Sequence, residues 1–477
     1  MLLWRDCVFS FLAASVAAVG AESAPTVHTL NGTYEGLHLP TWGQDAFLGM
    51  PFAQPPVGPL RWRWPQSINA SFEGTRNATE YGHSCMQYGS NFDLSEDCLT
   101  INVVRPTAAE VSASKEPLPV LVWIYGGGLS LGSTADPQYN LSGIVQASQD
   151  MGRPVVGVSM NYRLGMWGFL QTPQLLAEGS SNAGLLDQRL ALRWVQDNIA
   201  RFGGDPRRVT VWGESAGAQS IAYHLFAHGG RDDGLAGADG GAGRAAELVR
   251  RGGREPDAHG RVRGIPDPLA CLRSVDGAAL FAAHPTTVWN PLLDGDFLTG
   301  YPSQLMREDR FVRVPLMTGA NTDETFALAG DAAQDTEAQL FDAFLAWRGY
   351  ALTPPTLRRL LALYPDDPCR APPYAVTNCT RRPGAGAQWR RGAALGSDLV
   401  MGAQRRRMAE LFSAPGSGSS PVYSYRFDQR PWDGKAWDGV KHFQNVAFSF
   451  QNISGGWGRV RRTTATWRWR GRSGGLT

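Results

Sequence analysis

Hydrophobic and polar positions follow two different periods along the first half of the chain. Residues 118–125 and 154–160 are almost continuously apolar, which is typical of strands buried on both faces. Residues 187–199 instead carry apolar side chains at helical spacing among good helix formers. A short apolar run then occupies residues 208–212. Strands that alternate with helices predict a parallel sheet with helices on its faces, so the pattern indicates an α/β fold.

Three further segments have strand patterns, and one proline-rich segment does not. Residues 95–104 alternate and then become apolar, while residues 312–318 and 422–427 are short strand-like runs, so all three predict strands. Residues 41–65 contain several prolines and predict an extended covering segment rather than a strand or a helix. Loops at the ends of strands in such a sheet are where sites are commonly built.

A serine between two glycines comes directly after the run at residues 208–212. Gly213, Ser215 and Gly217 form a G-x-S-x-G pattern, which predicts a nucleophile elbow: a strand ends, the chain turns sharply, and a helix begins with the serine at the apex. Side chains at the two glycine positions would collide across so tight a turn. The pattern alone is weak, because 56 of the 477 residues are glycine. A glycine-rich turn with a solvated serine is the alternative.

A serine hydroxyl becomes a useful nucleophile when a histidine takes its proton and an acid orients that histidine. On a hydrolase sheet these residues follow in the order serine, acid, histidine. Asp323 and Glu324 follow the strand predicted at residues 312–318, and His442 is the only histidine beyond them. The remaining histidines are His28, His38, His83, His224, His228, His259 and His284. We therefore predict His442 as the base, the alternative being a loop histidine in an ordinary surface contact.

Three consecutive glycines, residues 126–128, follow the strand predicted at residues 118–125. They are compatible with a simple loop. They are also what a backbone needs in order to direct bare N–H groups into a pocket where a negative charge develops. Residues 126–128 are therefore candidates for anion stabilisation.

The N-terminus and the glycosylation sequons predict a secreted, extracellular glycoprotein. Residues 1–21 combine an early arginine, an apolar stretch and a small-residue cleavage site, as secretory signals do; a buried N-terminal helix is the alternative. Six N-x-S/T sequons lie at Asn31, Asn69, Asn77, Asn140, Asn378 and Asn452. The net charge of +2 gives no reason to expect a nucleic-acid partner, and no later segment has the pattern of a membrane span.

Cysteine usage fits an oxidising compartment. If Cys7 leaves with the signal segment, five cysteines remain, and an odd count means that at least one is unpaired or intermolecular. Cys85 with Cys98 and Cys369 with Cys379 are plausible local bridges. The sequence contains no C-x-x-C pair or histidine cluster that suggests a metal site, so we predict no metal and no cofactor.

Several motifs together resemble the type-B carboxylesterase/cholinesterase family. The resemblance rests on residues 95–99, 126–128, 202–206, 213–217, 321–324 and 439–442, and it covers about residues 26–235 and 266–452. It implies the α/β-hydrolase fold, with a mostly parallel central sheet and helices on both faces. It also implies a serine carboxylic ester hydrolase that acts on a small-molecule ester.

The resemblance assigns a role to each matching residue. It implies that Ser215 is the nucleophile, Glu324 the acid and His442 the base. It also implies that an oxyanion hole is formed by the backbone N–H groups of Gly127, Gly128 and Ala216, and that Cys85 and Cys98 form a disulfide. The acid matches Glu324 rather than Asp323. Glu214 matches an acidic residue beside the nucleophile, and we interpret it as an electrostatic neighbour rather than a member of the triad.

The spacing of the first cysteine pair bears on the substrate. Lipases that resemble this family carry a long flap between these cysteines, whereas about a dozen residues separate Cys85 from Cys98 here. Such a segment is too short for a large amphipathic lid. The sequence therefore favours soluble or short-to-medium acyl esters over emulsified fat, and no feature singles out choline esters.

Two stretches depart from the family pattern within an esterase domain predicted at residues 22–452. Residues 236–264 are rich in glycine and arginine, and residues 453–477 form a tail rich in arginine, tryptophan and glycine. Neither stretch has helical or strand periodicity. The first replaces an expected central strand and leaves Cys271 without its expected partner. Translation in the wrong frame or across introns, with impaired activity, is one interpretation; a non-catalytic adhesion or binding module on the same fold is another, because a fold does not fix a function.

Overall fold

The computed structural model describes most of the chain. The described residues are 24–89, 91–235, 267–283, 289–324, 334–348, 352–367, 369–370, 382–414, 420–430, 437 and 439–451. The predicted signal segment at residues 1–21 and the atypical stretches at residues 236–264 and 453–477 lie outside them. Within the described ranges, no helix is long and apolar enough to cross a membrane.

The strands and helices of the described residues alternate through much of the chain. In chain order the strands are β1 (Thr26–Thr29), β2 (Gly32–Glu35), β3 (Leu37–Leu39), β4 (Gln44–Pro51), β5 (Thr75–Asn77), β6 (Ser84–Cys85), β7 (Leu94–Ser95), β8 (Thr100–Pro106), β9 (Leu118–Ile124), β10 (Val156–Met160), β11 (Gly204–Gly213), β12 (Leu316–Asn321) and β13 (Val422–Phe427). The helices are α1 (Ala108–Ala113), α2 (Ser142–Asp150), α3 (Gly165–Phe169), α4 (Pro173–Ala177), α5 (Ala183–Asn198), α6 (Ala216–Phe226), α7 (Pro268–Ser274), α8 (Gly277–Ala283), α9 (Pro302–Arg307), α10 (Glu337–Arg348), α11 (Pro354–Leu361), α12 (Trp389–Ser397), α13 (Ala403–Phe412) and α14 (Asn445–Ser449).

A six-stranded sheet in the order β11-β9-β10-β8-β4-β3 forms the centre of the molecule. Strand β9 pairs in parallel with both β10 and β11, whereas β8, β4 and β3 join the sheet by antiparallel pairing. The side chains of Val120, Val122 and Val158 are completely buried, as expected for strands covered on both faces. The parallel part predicted from the alternating pattern therefore includes β11, the strand that leads to Ser215.

Most predicted elements occur close to their predicted bounds. Strands β9 and β10 and helix α5 shift by a few residues at their ends, and β13 has the predicted bounds. The strand predicted at residues 312–318 begins only at Leu316, directly after Pro315, because a proline has no N–H for the ladder. The strand predicted at residues 95–104 is divided into β7 and β8, with the disulfide-bonded Cys98 between them.

The prediction for residues 41–65 was wrong in its first part. Residues Gln44–Pro51 form β4, an inner strand that pairs with β8 on one side and β3 on the other. The prolines of this segment begin only at Pro51, the last residue of the strand, so the seven strand residues before it can pair freely. The extended covering segment is confined to the residues that follow, apart from a short 3₁₀ turn at Gly58–Leu60.

Strands β12 and β13 form a separate two-stranded parallel sheet. In the part of the chain that the structure describes, no strand connects β12 to β11, which lies at the edge of the six-stranded sheet. An apolar cluster packs the end of α6 against the smaller sheet, and the backbone N–H of Val312 donates to the carbonyl of Leu225 at 2.8 Å. Side-chain packing, rather than a continuous strand ladder, thus positions the two sheets.

One of the two predicted disulfides lies entirely within the described residues. Cys85 and Cys98 form a disulfide, which confirms that prediction. Cys271 is exposed and unpaired, as expected if its partner segment is altered. Cys369 is disulfide-bonded, while Cys379, its predicted partner, lies outside the described residues.

Candidate active site

Ser215 lies in a sharp turn between β11 and α6, with a backbone φ of 55° and ψ of −121°. Such a conformation is uncommon for a residue with a side chain and is found where the surrounding structure enforces it. The flanking glycines show how closely the neighbouring strand confines this turn. A Cβ on Gly217 would lie 2.0 Å from the carbonyl oxygen of Ile124, and one on Gly213 would lie 2.7 Å from the same oxygen. The turn therefore packs directly against strand β9, a constraint that the sequence pattern did not reveal.

The glycine loop after β9 borders this turn. Gly127 and Gly128 have φ values of 101° and 64°, and a Cβ on Gly126 would lie 2.8 Å from the Cβ of Ser215. The backbone N–H groups of Gly127, Gly128 and Ala216 donate no hydrogen bond to any described residue. These three donors are thus available to an anion beside the serine, and their assignment as an oxyanion hole stays a prediction.

His442 and Glu324 meet although 118 positions separate them in the sequence. Nδ1 of His442 lies 2.6 Å from Oε2 of Glu324, and the backbone N–H of His442 donates to the Glu324 carbonyl at 3.1 Å. The other carboxylate oxygen of Glu324 accepts the backbone N–H of Asn321 at 2.6 Å. Both carboxylate oxygens are therefore engaged, which fixes the face that Glu324 presents to the imidazole.

The second imidazole nitrogen forms no hydrogen bond with the serine hydroxyl. Nε2 of His442 lies 3.1 Å from Oε1 of Glu214, and the hydroxyl of Ser215 forms no hydrogen bond with the residues that the structure describes. Glu214 is thus in direct contact with His442, whereas the sequence analysis interpreted it only as an electrostatic neighbour. Catalytic hydrogen bonds are often long or misaligned in ligand-free structures, so this arrangement leaves the assignment of the serine and histidine as a prediction.

Glu214 and His442, which contact each other near Ser215, both have shifted pKa values. Burial raises the pKa of Glu214 to about 7, and the charge of Glu324 adds to this effect while His442 opposes it. Burial alone would lower the pKa of His442, but the hydrogen bond to Glu324 and the negative charges of Glu214 and Glu324 outweigh it and raise the pKa above its ordinary value. The pKa of Glu214 therefore lies near neutral pH, and that of His442 lies above the ordinary histidine value.

Other histidines of the described chain are engaged elsewhere. His224 lies on α6 with Nε2 2.9 Å from a side-chain oxygen of Gln188, and burial lowers its pKa to about 3. His38 and His83 contact Asp45 and Asp93 respectively. His259 and His284 lie outside the described residues. Among the histidines that can be located, His442 alone contacts an acidic side chain next to Ser215.

A large cavity extends from the serine. Its volume is about 2580 Å³, and its wall includes Ser215, Glu214 and His442. Residues 209–213 of β11 and residues 314–319 on and before β12 border it from opposite sides. Most ligand pockets measure about 300–1,000 Å³, so this cavity is larger than a short ester needs. The space between the two sheets therefore opens directly onto the candidate site.

The predicted glycosylation sites differ in accessibility. Asn69, Asn77 and Asn140 are exposed. Asn31 is half-buried, and its Nδ2 donates to the backbone carbonyls of Ile68 and Ala70. Asn378 and Asn452 lie outside the described residues. The three exposed sites are the ones at which an attached glycan would meet no obstacle.

Sequence reasoning missed the contribution of Asn321 and Asp323. Asp323 is completely buried and accepts the backbone N–H of Val440 at 2.8 Å, and Asn321 donates its side-chain amide to the Lys441 carbonyl at 2.8 Å. A signal was present, since all four residues from the end of β12 onward, residues 321–324, have hydrogen-bonding side chains. Their partners, more than a hundred positions away, could not be identified from the sequence.

Comparisons with known proteins agree with this geometry. The model of the carboxylesterase family matches residues 23–238 and 242–459. Lipase 4 of Diutina rugosa is 36% identical over 453 residues, covering 83% of this chain and 78% of that protein. A secreted lipase of Arthroderma benhamiae is 33% identical over 453 residues, covering 88% of this chain and 76% of its own length.

A solved structure gives the same result for the fold. The crystal structure of Aspergillus niger EstA superposes with a TM-score of 0.73 at 29% identity, covering 92% of this chain and 84% of that one. The family match includes both halves of the candidate site, and structural neighbours with the α/β-hydrolase fold confirm the predicted fold class. The chain therefore belongs to the carboxylesterase family.

Proposed function

We propose that the protein is a serine carboxylic ester hydrolase in which Ser215 is the nucleophile, His442 the general base and Glu324 the orienting acid. The observation that carries this proposal is the 2.6 Å contact between Nδ1 of His442 and Glu324, formed at the wall of the cavity that contains Ser215. A carboxylate on Nδ1 leaves Nε2 as the nitrogen that exchanges a proton with substrate and nucleophile.

In the proposed reaction, Oγ of Ser215 attacks the ester carbonyl carbon while Nε2 of His442 accepts the hydroxyl proton. The tetrahedral intermediate carries its negative charge on the former carbonyl oxygen, and the N–H groups of Gly127, Gly128 and Ala216 donate to it. The protonated His442 then gives the proton to the leaving alkoxide, so that the C–O ester bond breaks and an acyl-enzyme remains. Water then attacks the acyl carbon while His442 accepts its proton. The bond between the acyl carbon and Oγ of Ser215 breaks, His442 returns the proton to Oγ, and the carboxylic acid leaves.

The contact between Glu214 and Nε2 of His442 must exchange before this sequence can begin. Glu214 directly precedes Ser215, so both side chains come from one turn of the backbone. Neutral Glu214 holds Nε2 less strongly than its carboxylate does, because the charge attraction is lost. A substrate that fills the site and displaces Glu214 from Nε2 would align the histidine with the hydroxyl.

The proposed substrates are soluble esters with short-to-medium acyl chains. The support is the short segment between Cys85 and Cys98, which contributes Phe92 and its neighbours to the cavity wall but no long lid. The cavity itself would admit longer chains. A series of p-nitrophenyl esters from acetate to palmitate decides the point: kcat/KM should be highest for the short and medium members, and a maximum at palmitate would contradict the proposed preference.

We also propose secretion with glycosylation at Asn69, Asn77 and Asn140. Support comes from the signal-like segment at residues 1–21 and from the secreted lipase relative described above. Expression in a eukaryotic secretory host followed by enzymatic glycan removal should reduce the apparent mass. Peptide mapping should show the modification at the three exposed sites in preference to Asn31.

A fluorophosphonate probe tests the catalytic proposal directly. The probe should label the purified full-length protein on Ser215, located by peptide mass spectrometry, and Ser215→Ala should abolish both label and ester hydrolysis. Ser449→Ala is the matched control, because Ser449 borders the same cavity but lies outside the elbow. Folded wild-type protein without label would favour a non-catalytic binding module, and failure to obtain folded protein would favour a defective gene product.

A further inference from the structure

The loop that carries His442 has little support from its own backbone. It begins 12 residues after the end of β13, and residues 439–442, here called the histidine loop, lie outside any helix or strand. Gly439 and Phe443 have φ values of 57° and 77°. A positive φ is unfavourable for a bulky residue such as Phe443 and persists only where neighbouring contacts hold it. Something outside the loop must therefore fix its conformation.

The support comes from residues 321–324, here called the acid loop. Three successive residues of the histidine loop are each bonded to a different residue of the acid loop. The carboxylate of Asp323 accepts from the N–H of Val440 at 2.8 Å, and its backbone N–H donates to the Val440 carbonyl at 2.9 Å. These two bonds join the loops in both directions.

The neighbouring residues extend the same interlock. The side-chain amide of Asn321 donates to the Lys441 carbonyl at 2.8 Å and to the side-chain oxygen of Asn445 at 3.2 Å. The carbonyl of Glu324 accepts the N–H of His442 at 3.1 Å. Lys441 and His442 thus each form one hydrogen bond with the acid loop, and Val440, directly before them, forms two.

Burial makes these bonds costly to lose. Asp323 is 0% exposed, Val440 1% and Asn321 6%. A buried N–H or carbonyl that loses its partner is not compensated by water, so removal of a side chain from this interlock leaves unsatisfied groups within it. The loops should then separate or rearrange.

We infer that Asn321 and Asp323 are positioning residues, which hold the histidine loop so that Nδ1 of His442 meets Glu324. This inference rests on the proposed function and extends it to two residues that do not touch the reacting atoms. Asp323, although adjacent to the acid, acts through the backbone of Val440 rather than through the imidazole. Asn321 orients the acid as well, since its backbone N–H bonds to Glu324.

The test compares Asp323→Ala, Asp323→Asn and Asn321→Ala in the full-length protein. Fluorophosphonate titration counts competent sites, and kcat and KM for p-nitrophenyl butyrate are then expressed per titrated site. Asp323→Ala removes a charged hydrogen-bond acceptor and should lower kcat by about 10- to 100-fold with little change in KM. Asp323→Asn keeps an acceptor for Val440 and should recover most of that loss.

The pH profile separates positioning from a general loss of stability. The charged groups that act on His442 are Glu214 and Glu324. Burial and the charges of these two carboxylates also raise the pKa of Tyr425. Weaker contact with Glu324 should move the acid midpoint of kcat/KM downward in Asp323→Ala. Asp205→Ala is the matched control: Asp205 is also buried and accepts a backbone N–H, that of Arg207 at 2.9 Å, but it lies at the start of β11. It should lower stability without moving kcat per site or the midpoint.

Each outcome has a defined meaning. An Asp323→Ala protein with wild-type kcat per site and an unchanged midpoint would overturn the inference. If that variant does not fold, Asn321→Ala decides, with an expected loss of about 3- to 10-fold in kcat and a lowered midpoint; unchanged values would again overturn it. Wild-type and Asp205→Ala proteins that neither react with the probe nor hydrolyse ester would overturn the proposed function, and the inference with it.

Discussion

Nε2 of His442 lies 3.1 Å from Oε1 of Glu214, the residue that directly precedes Ser215. The same imidazole contacts Glu324 through Nδ1 at 2.6 Å, so the ring is held between two carboxylates. One of them comes from the nucleophile turn and the other from the loop after β12. Such a sandwich favours the protonated imidazolium, whereas a general base must be neutral. The pH dependence of the enzyme should therefore report this relationship.

We expect the acid limb of kcat/KM to have its midpoint above the ordinary histidine value of about 6.5. The reason is that the pKa of His442 is raised, and activity requires the neutral form, which is lost as pH falls through that raised pKa. Glu214→Gln removes one negative charge and should move the midpoint downward. A pH-rate profile between about pH 5 and 9 measures both.

The control for this profile is Glu308→Gln, because Glu308 is exposed and remote in sequence from the loops of the site. It should leave the midpoint unchanged. A Glu214→Gln profile identical to that of the wild type would show that the contact with Nε2 does not persist in solution.

Glu214 should also make stability fall as pH rises. Its pKa is about 7 in the folded protein, above the unfolded value of about 4.3, so the folded state binds the proton more tightly. Stability is consequently lost between these two values as pH rises, by at most about 4 kcal/mol. His442, whose pKa is also raised, contributes in the same direction above about pH 6.5. Urea unfolding at pH 5 and pH 8 should show a smaller difference for Glu214→Gln than for the wild type.

Removal of the acid should cost more than removal of its neighbours. Glu324→Gln leaves the size of the side chain but withdraws the charge that stabilises the imidazolium, and replacements of this kind lower kcat by roughly 10⁴-fold. Burst kinetics with p-nitrophenyl butyrate measure the effect on acylation. Retention of more than a tenth of wild-type kcat would exclude Glu324 as the orienting acid.

Gly217→Ala tests how tightly the turn that contains Ser215 packs on β9. Within a helix this change would ordinarily stabilise by about 1 kcal/mol. Here the new Cβ would lie 2.0 Å from the Ile124 carbonyl, so we expect a loss of about 2 kcal/mol or more and a displaced Ser215. Gly300→Ala is the control, because its Cβ would lie no closer than 3.4 Å to any neighbour, the nearest being a side-chain atom of Leu305. Thermal unfolding and probe labelling should separate the two variants.

A buried ion pair fixes the chain after β10 to helix α5. Asp187 is 0% exposed and accepts from the backbone N–H, Nε and Nη2 of Arg163. Asp187→Ala leaves the guanidinium buried without its partner and should cost about 3–5 kcal/mol in the free energy of unfolding. Glu308→Ala, which removes an exposed partner of Arg310, should have little effect. Equal losses in the two variants would contradict this account.

The sequence predicted the elements that depend on local pattern. Strand β9, strand β10 and helix α5 have strong periodicity, and β13 appears with the predicted bounds. The prediction was wrong at β4, because the prolines that begin at the end of this strand led us to interpret the whole of residues 41–65 as an extended covering segment. Burial of β4 depends on pairing with β8 and β3, and such pairing is a tertiary property that local composition does not reveal.

For the candidate site, chain order was more informative than local pattern. The rule that serine precedes acid and acid precedes histidine selected His442, and the family resemblance selected Glu324 over Asp323; the structure brings His442 and Glu324 into contact. The contact of Glu214 with Nε2 and the bond from Asp323 to Val440 were not predicted. Both depend on how two distant loops approach each other, and no spacing within either loop encodes that approach.

Ser215 and Glu324 follow strands of different sheets, β11 and β12 respectively. In the described chain the segment after His442 packs on the larger sheet through side chains, among them Phe450, whose ring lies 4.8 Å from that of Trp123 and 4.9 Å from that of Trp212. Packing of this kind yields to urea sooner than a hydrogen-bonded ladder of buried strands. Turnover should accordingly vanish at denaturant concentrations where the far-ultraviolet circular dichroism of the larger sheet is still intact.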